Sequence, residues 1–80
     1  MVRLADADPG QAYIVSGIYE RDRHLLEFLE ARGIRPGARF RLLERNYDKT
    51  LSLRTAAGAI VLGGLAAEKI WVAPSPPSNA

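Results

Sequence analysis

Short runs in which apolar and polar residues alternate, each closed by a turn-forming sequence, restrict the fold of this chain most. The clearest run alternates three apolar residues with two arginines: Ala38, Arg39, Phe40, Arg41 and Leu42. A period of two residues is typical of a β-strand that buries one face and exposes the other to solvent. The pattern therefore predicts a β-rich domain, with a strand over residues 38–42.

Four further segments have the alternation or the β-branched and aromatic content of strands. They are residues 11–18, 51–55, 59–62 and 69–73. Turn-forming sequences separate these strands, namely Pro9-Gly10, Pro36-Gly37, Asn46-Tyr47-Asp48-Lys49 and Ala57-Gly58. Gly17 interrupts the first strand and predicts a bulge or bend at that point.

One helix is predicted over residues 20–32, because four apolar residues there have helical spacing. These are Leu25, Leu26, Phe28 and Leu29. Asp22 is the predicted N-cap, since a short carboxylate accepts a hydrogen bond from the first turn. Gly33 suits the left-handed position that ends a helix, and Pro36 prevents continuation. A second helix, one turn long, is predicted over residues 65–68.

These elements predict a mainly β fold, a small and partly open barrel of five strands. One helix follows the first strand, and a short helical turn precedes the last. Closing the sheet on itself limits its exposed edges in a chain of 80 residues, which is too small for two packed layers. A single domain is expected over residues 1–73. The Pro/Ser-rich residues 74–80 are expected to be a disordered tail, because they bury little apolar surface.

Composition excludes several function classes. The chain has no cysteine, which excludes disulfides, zinc–thiolate sites and thiol nucleophiles. We find no apolar run long enough to cross a bilayer and no secretory leader, so we expect a cytoplasmic protein. No nucleophile elbow, phosphate loop or histidine–carboxylate–histidine metal motif is present, and we therefore expect that the chain is not an enzyme.

The charge is only weakly basic, with 11 Lys and Arg against 9 Asp and Glu. The acidic residues are interspersed among the basic ones, whereas a nucleic-acid binder usually has a dense basic stripe. Arg39, Arg41 and Arg45 are predicted to share one strand face. They are either the solvated side of the sheet or a site for a carboxylate or phosphate, and both interpretations stay open.

Two carboxylates and an imidazole surround the predicted helix start, at Glu20, Asp22 and His24. Oxygen and imidazole ligands together suit Mn(II), Fe(II) or Zn(II), which makes these residues a candidate metal site. Against this hypothesis, a spacing of two residues scatters side chains around a regular helix. Arg21 and Arg23 between them also repel a cation. In the alternative interpretation Asp22 caps the helix while the other two side chains are exposed.

Three aromatic residues are candidates for protein interaction: Tyr13, Tyr47 and Trp71. Together they are able to line a groove of the kind that accepts extended, proline-rich segments. The alternative places Trp71 in the core and Tyr47 at the tip of a hairpin.

Several segments together resemble a known family. They are Gly10, the helix 22–29, the step Gly33-Ile34-Arg35-Pro36-Gly37, and the ending Leu62-Gly63-Gly64-Leu65-Ala66-Ala67-Glu68-Lys69-Ile70-Trp71-Val72. Over residues 4–72 the chain resembles the FeoA-like domain, an SH3-like barrel. This domain occurs alone, as an accessory protein of ferrous iron transport. It also occurs as the C-terminal domain of the diphtheria toxin repressor (DtxR) family of iron- or manganese-dependent transcription regulators.

Two details favour the regulator branch of this family. Residues 46–50 lack the Pro-Gly pair that the stand-alone proteins usually have there, and Leu62-Gly63 replaces their usual Leu-Arg. Met1 is compatible with either branch.

The regulator branch implies that the domain docks on the N-terminal DNA-binding and dimerisation domains of its own chain. DNA and the activating Fe(II) or Mn(II) then belong to the parent protein, with no cofactor in this domain, no membrane contact and a possible homodimer. Glu20 matches a carboxylate that some members donate to an ancillary metal. Arg23 lies where a companion glutamine is expected, and arginine does not ligate metals.

Overall fold

A computed structural model describes residues 1–19 and 21–75 of the chain. The elements in chain order are β1 (Val2–Arg3), a 3₁₀ turn (Leu4–Asp6), β2 (Gln11–Ile18), α1 (Arg23–Ala31), β3 (Arg39–Arg45), β4 (Leu51–Thr55), β5 (Gly58–Leu62), α2 (Gly64–Ala67) and β6 (Ile70–Pro74). The predicted mainly β fold is confirmed. Boundaries differ from the predicted ones by three residues at most.

The strands form one antiparallel sheet in the order β1-β6-β2-β3-β4-β5, consistent with an SH3-like fold. Five of them are the predicted strands. The sixth, β1, was not predicted, and it pairs with β6 through Val2 opposite Val72. The register between β2 and β6 shifts between Val15 and Gly17, which confirms the predicted irregularity at Gly17.

Alternate residues of the strands fill one apolar core. The buried apolar residues of the strands are Tyr13, Val15, Phe40, Leu42, Leu51, Leu53, Leu62, Ile70 and Val72. The Tyr13 and Phe40 rings stack with their centroids 5.9 Å apart. Burying each large apolar side chain stabilises the fold by roughly 1.5–3 kcal/mol, so this inner face is the main source of stability.

Helix α1 begins directly after its predicted N-cap, Asp22. The backbone N–H of His24 donates to Oδ1 of Asp22 at 2.9 Å, which confirms the predicted N-cap. The helix is followed by Gly33 in the left-handed region, at a φ of 82°. Leu29 is buried against the core, whereas Phe28 is partly exposed and lies under the Arg32 guanidinium, 3.6 Å from its ring centroid.

Helix α2 packs tightly against the turn between β3 and β4. A Cβ atom added to Gly64 would lie 2.8 Å from the backbone oxygen of Lys49, so only glycine fits without a shift of the backbone. Lys49 itself has a φ of 72°, an uncommon conformation for a residue with a side chain. The close approach of these two residues brings α2 against the β3–β4 turn at one end of the sheet.

The C-terminal strand continues to Pro74, one residue past the predicted domain boundary. The amide of Ser75 donates to the carbonyl oxygen of Ala12 at 2.9 Å. Residues 76–80, most of the predicted tail, lie outside the described residues. Within the described part, neither helix is long and apolar enough to cross a membrane.

Candidate functional site

Two arginines lie side by side in a row of residues that crosses the outer face of the sheet. The row consists of residues directly opposite one another on β2, β3, β4 and β5: Ala12, Arg41, Arg54 and Ala59. Arg39 lies on the same face, two residues from Arg41 along β3 and opposite Ile14. We call Arg39, Arg41 and Arg54 the arginine cluster, and all three are exposed.

The charges of the arginine cluster have no carboxylate partner among the described residues. An ion pair elsewhere in the described residues joins Arg3 Nε to Asp6 Oδ2 at 3.2 Å. Arg41 Nη2 donates to the carbonyl oxygen of Gly10 at 3.0 Å. The side chains of Arg39 and Arg54 make no hydrogen bond or ion pair within the described part of the chain. Like charges directly opposite on a sheet destabilise it, so the Arg41–Arg54 pair is not expected to stabilise the fold.

The outer edge of β5 lies beside the arginine cluster. Strand β5 is the last in the sheet order and pairs only with β4. Apart from this pairing with β4, no backbone hydrogen bond joins residues 58–62 to another described segment. The strand has no charged residue and no proline, and Val61 is 61% exposed. Such an edge is a ready template for an added strand.

A groove of about 620 Å³ lies between the 3₁₀ turn, the β3–β4 turn and α2. Its lining includes both charge signs and apolar residues, among them Asp6, Arg45, Asp48, Leu65 and Glu68. The hydroxyl of Thr50 donates to Oδ1 of Asp48 at 2.6 Å. This hydrogen bond lowers the pKa of Asp48, and the backbone amide of Thr50 contributes in the same direction.

Arg45 belongs to this groove rather than to the arginine cluster. The register of β3 against β4 shifts between Leu42 and Glu44, so Arg45 lies opposite the buried Leu51. Its guanidinium donates to the carbonyl oxygen of Ala7. The prediction that Arg45 shares a face with Arg41 is therefore wrong, because the bulge turns the end of β3 over.

The structure only partly describes the predicted metal residues. Asp22 caps α1, and His24 is exposed in the first turn of that helix. Glu20 lies outside the described residues. Among residues 1–19 and 21–75, no group of three His, Asp or Glu side chains is placed to hold a metal ion. The site that includes Glu20 stays a prediction, and the described residues do not by themselves form a ligand set.

The three predicted interaction aromatics lie in different places. Tyr13 is buried on the inner face, where its hydroxyl accepts from the amide of Asp8 at 2.9 Å. Tyr47 is fully exposed in the β3–β4 turn. Trp71 is half-buried, and its ring meets that of Tyr19 edge to face with the centroids 6.0 Å apart. No ring contact joins any two of the three, and their role in binding stays a prediction.

Two surface residues were not singled out from the sequence, Arg54 and Tyr19. The alternation in residues 51–55 already placed Arg54 on the solvated face. Its position opposite Arg41 depends on the register across the β3–β4 turn, which alternation alone does not supply. Tyr19 follows the end of β2 and carried no periodic signal.

Comparison with known proteins finds one family and a set of similar structures. A model of the FeoA domain matches residues 2–74. No curated protein matches the chain in a sequence comparison.

Three solved structures illustrate the similarity of the fold. ScaR with bound Zn²⁺ is 25% identical with a TM-score of 0.82, over 94% of this chain and 37% of that one. A manganese-dependent transcriptional repressor is 27% identical with a TM-score of 0.83, over 91% of this chain and 41% of the repressor. The iron uptake regulatory protein FeoA is 23% identical with a TM-score of 0.81, over 92% of this chain and 96% of that one.

These matches differ in how much of the other protein they cover. The chain spans about two fifths of the length of the two repressors. It spans nearly the whole of the iron uptake regulatory protein, a likeness that shows a shared fold.

Proposed function

The chain belongs to the FeoA domain family, and from that membership we propose that it is the C-terminal interaction domain of an iron- or manganese-dependent transcriptional repressor of the DtxR family. It docks within its own chain or dimer, on the N-terminal DNA-binding and dimerisation domains. In this role it modulates metal-dependent DNA binding through protein contact and catalyses no reaction.

One observation carries this proposal, the match of nearly the whole chain to part of two repressors. Identities of 25% and 27% accompany TM-scores of 0.82 and 0.83. The β3–β4 turn adds support, since residues 46–50 contain no Pro-Gly pair of the kind usual in the stand-alone relatives.

Tethering explains how a small domain regulates a larger one. A domain joined by a short flexible linker meets its partner surface at an effective concentration of roughly millimolar, so a weak contact is sufficient. If that contact is stronger in one state of the repressor, docking shifts the equilibrium toward that state. The same coupling changes the affinity of the parent protein for its metal, because coupling between two binding events is reciprocal.

A second candidate is a stand-alone accessory protein of ferrous iron transport. The observation that favours it is the match of residues 2–74 to the FeoA domain, a domain that also occurs as a stand-alone protein. In that case the partner is a membrane transporter rather than a DNA-binding domain.

Reading the gene upstream of the Met1 codon separates the two candidates. An open frame that encodes a winged-helix domain supports the repressor, whereas an in-frame stop codon directly before Met1 contradicts it and favours the accessory protein.

Deleting residues 2–74 from such a longer protein then tests regulation. We expect the Mn(II) or Fe(II) concentration for half-maximal operator binding to change by about fivefold or more, the range of typical allosteric coupling. An unchanged concentration would contradict a regulatory role.

A further inference from the structure

We propose that the arginine cluster, together with the open edge of β5, docks an extended acidic segment of a partner protein. This inference goes beyond the proposed function, because it concerns the chemistry of one surface and applies to either candidate.

The first argument is uncompensated charge. Arg41 and Arg54 lie directly opposite each other on neighbouring strands, and both are exposed. The row that contains them ends at Ala12 on β2 and at Ala59 on β5, so only small residues lie beside the two arginines within it. A carboxylate brought to this row relieves the repulsion and accepts charge-assisted hydrogen bonds. The planar guanidinium group favours a carboxylate because it binds both oxygens at once.

The second argument is the edge beside the row. A strand added to β5 lies about 5 Å from β5 and so about 10 Å from β4. Ala59 is the only residue of the row between that strand and Arg54. Long acidic side chains on the added strand therefore extend toward Arg54 across a methyl group. Successive side chains of a strand point to opposite faces, so carboxylates at every second position face the arginine cluster.

The third argument selects an acidic protein segment over the other occupants. The arginine row is short, and the exposed Val61 lies near it opposite Ser52. Glu44 is also opposite Ser52, from the β3 side, so the positive surface is confined to a short row, whereas a phosphate backbone is usually bound by a longer basic stripe. A second copy paired through β5 brings no carboxylate to the arginine cluster, because β5 has no charged residue, so an acidic partner segment fits the charge of this surface better than self-pairing does.

The test is a titration of the full 80-residue chain, followed through its backbone amide NMR signals. The probe is an N-acetylated peptide of eight residues in which Glu and Thr alternate, and the matched control peptide alternates Lys and Thr. We expect the Glu peptide to shift the signals of residues 58–62 and of Arg54, more weakly as salt is added. The Lys peptide is expected to leave these signals unchanged.

Variants assign the interaction to the cluster. Arg54→Glu is expected to weaken binding of the Glu peptide at least tenfold, and Arg54→Lys by about threefold. Val61→Glu adds a negative charge at the edge and is expected to weaken binding about fivefold. The matched control is Arg35→Glu, an exposed arginine outside the cluster, with an expected change below twofold. The spectrum of each free variant reports whether it is folded.

Four outcomes would overturn the proposal. Shifts confined to the groove between α2 and the β3–β4 turn would assign the peptide elsewhere. Equal weakening of peptide binding by Arg54→Glu and Arg35→Glu would show that binding depends only on the net charge of the chain. A short DNA duplex that binds the same residues more tightly than the Glu peptide would assign the surface to nucleic acid. Concentration-dependent shifts of residues 58–62 without peptide would assign the edge to a second copy.

Discussion

The inner and outer faces of β3, β4 and β5 consist of alternate residues of the same three strands, yet different forces govern them. On the inner face, Leu42 lies opposite Leu53, and both are fully buried. On the outer face the next pair along is Arg41 opposite Arg54, both exposed and of the same charge. The inner pair stabilises the fold, whereas the outer pair opposes it. A surface that is unfavourable for folding is where a binding role is expected.

The largest expected effect is on the inner face. Leu53→Ala is expected to lower the free energy of unfolding by about 3 kcal/mol, since it removes buried methyl groups and leaves a cavity. Urea denaturation measures this loss. Arg54→Ala, one residue away on the outer face, is expected to change the free energy of unfolding by less than about 0.5 kcal/mol. Similar losses in both variants would show that the two faces do not differ as described.

A smaller effect is expected at Thr55, the buried polar residue at the end of β4. Its hydroxyl donates to the carbonyl oxygen of Arg32 at 3.0 Å and accepts from the amide of Ala57 at 3.1 Å. Thr55→Val is expected to lower the free energy of unfolding by about 1–2 kcal/mol, because the Arg32 carbonyl and the Ala57 amide lose their hydrogen-bond partner. Thermal denaturation measures this loss. Thr55→Ser keeps the hydroxyl and is expected to retain most of that stability. A larger loss in Thr55→Ser than in Thr55→Val would show that the methyl group dominates.

The outer face should show a repulsive coupling between Arg41 and Arg54. A double-mutant cycle with alanine at each position is expected to give a coupling of about 0.5 kcal/mol against folding. The coupling should decrease as salt is added, since exposed charges are screened. An attractive coupling, or one insensitive to salt, would contradict the proposed electrostatics of this face.

The smallest effect is expected at the rim of the sheet, at Asp48. The hydrogen bonds from Thr50 lower its pKa below the ordinary value of 3.8. A lowered pKa in the folded state stabilises the protein above the unfolded pKa, and this contribution disappears as the pH falls through the folded pKa. Urea denaturation below about pH 4 should therefore show that the free energy of unfolding falls more steeply with falling pH in the wild type than in Asp48→Asn. Equal slopes would contradict the assigned shift.

Much of the fold follows from local patterns in the sequence. The alternation around Phe40 and Leu42 assigned the two faces of residues 39–42 correctly, because burial of one face requires a period of two. The cap at Asp22 and the left-handed Gly33 are local features, and both are confirmed. Strand β1 was missed because Val2–Arg3 is too short to show any period, and only its long-range pairing with β6 makes it a strand.

The candidate site depends on information that local patterns do not contain. Arg54 joins Arg41 only through the register of β3 against β4, and the bulge after Leu42 moves Arg45 to the other face. Neither the register nor the bulge leaves a periodic mark in the sequence. The open edge of β5 is likewise a property of the strand order. Sequence analysis therefore offered Arg39, Arg41 and Arg45 as either an anion site or a solvated face, and it missed the position of Arg54 beside Arg41.

The most direct measurement follows stability and binding together in one variant, Arg54→Glu. Replacing one of two facing positive charges by a negative one is expected to keep or raise the midpoint of thermal unfolding, while affinity for the alternating Glu–Thr peptide falls at least tenfold. That opposite movement is the signature of an arginine that serves binding at the expense of folding. A variant that loses stability and binding in parallel, or keeps both, would contradict the account.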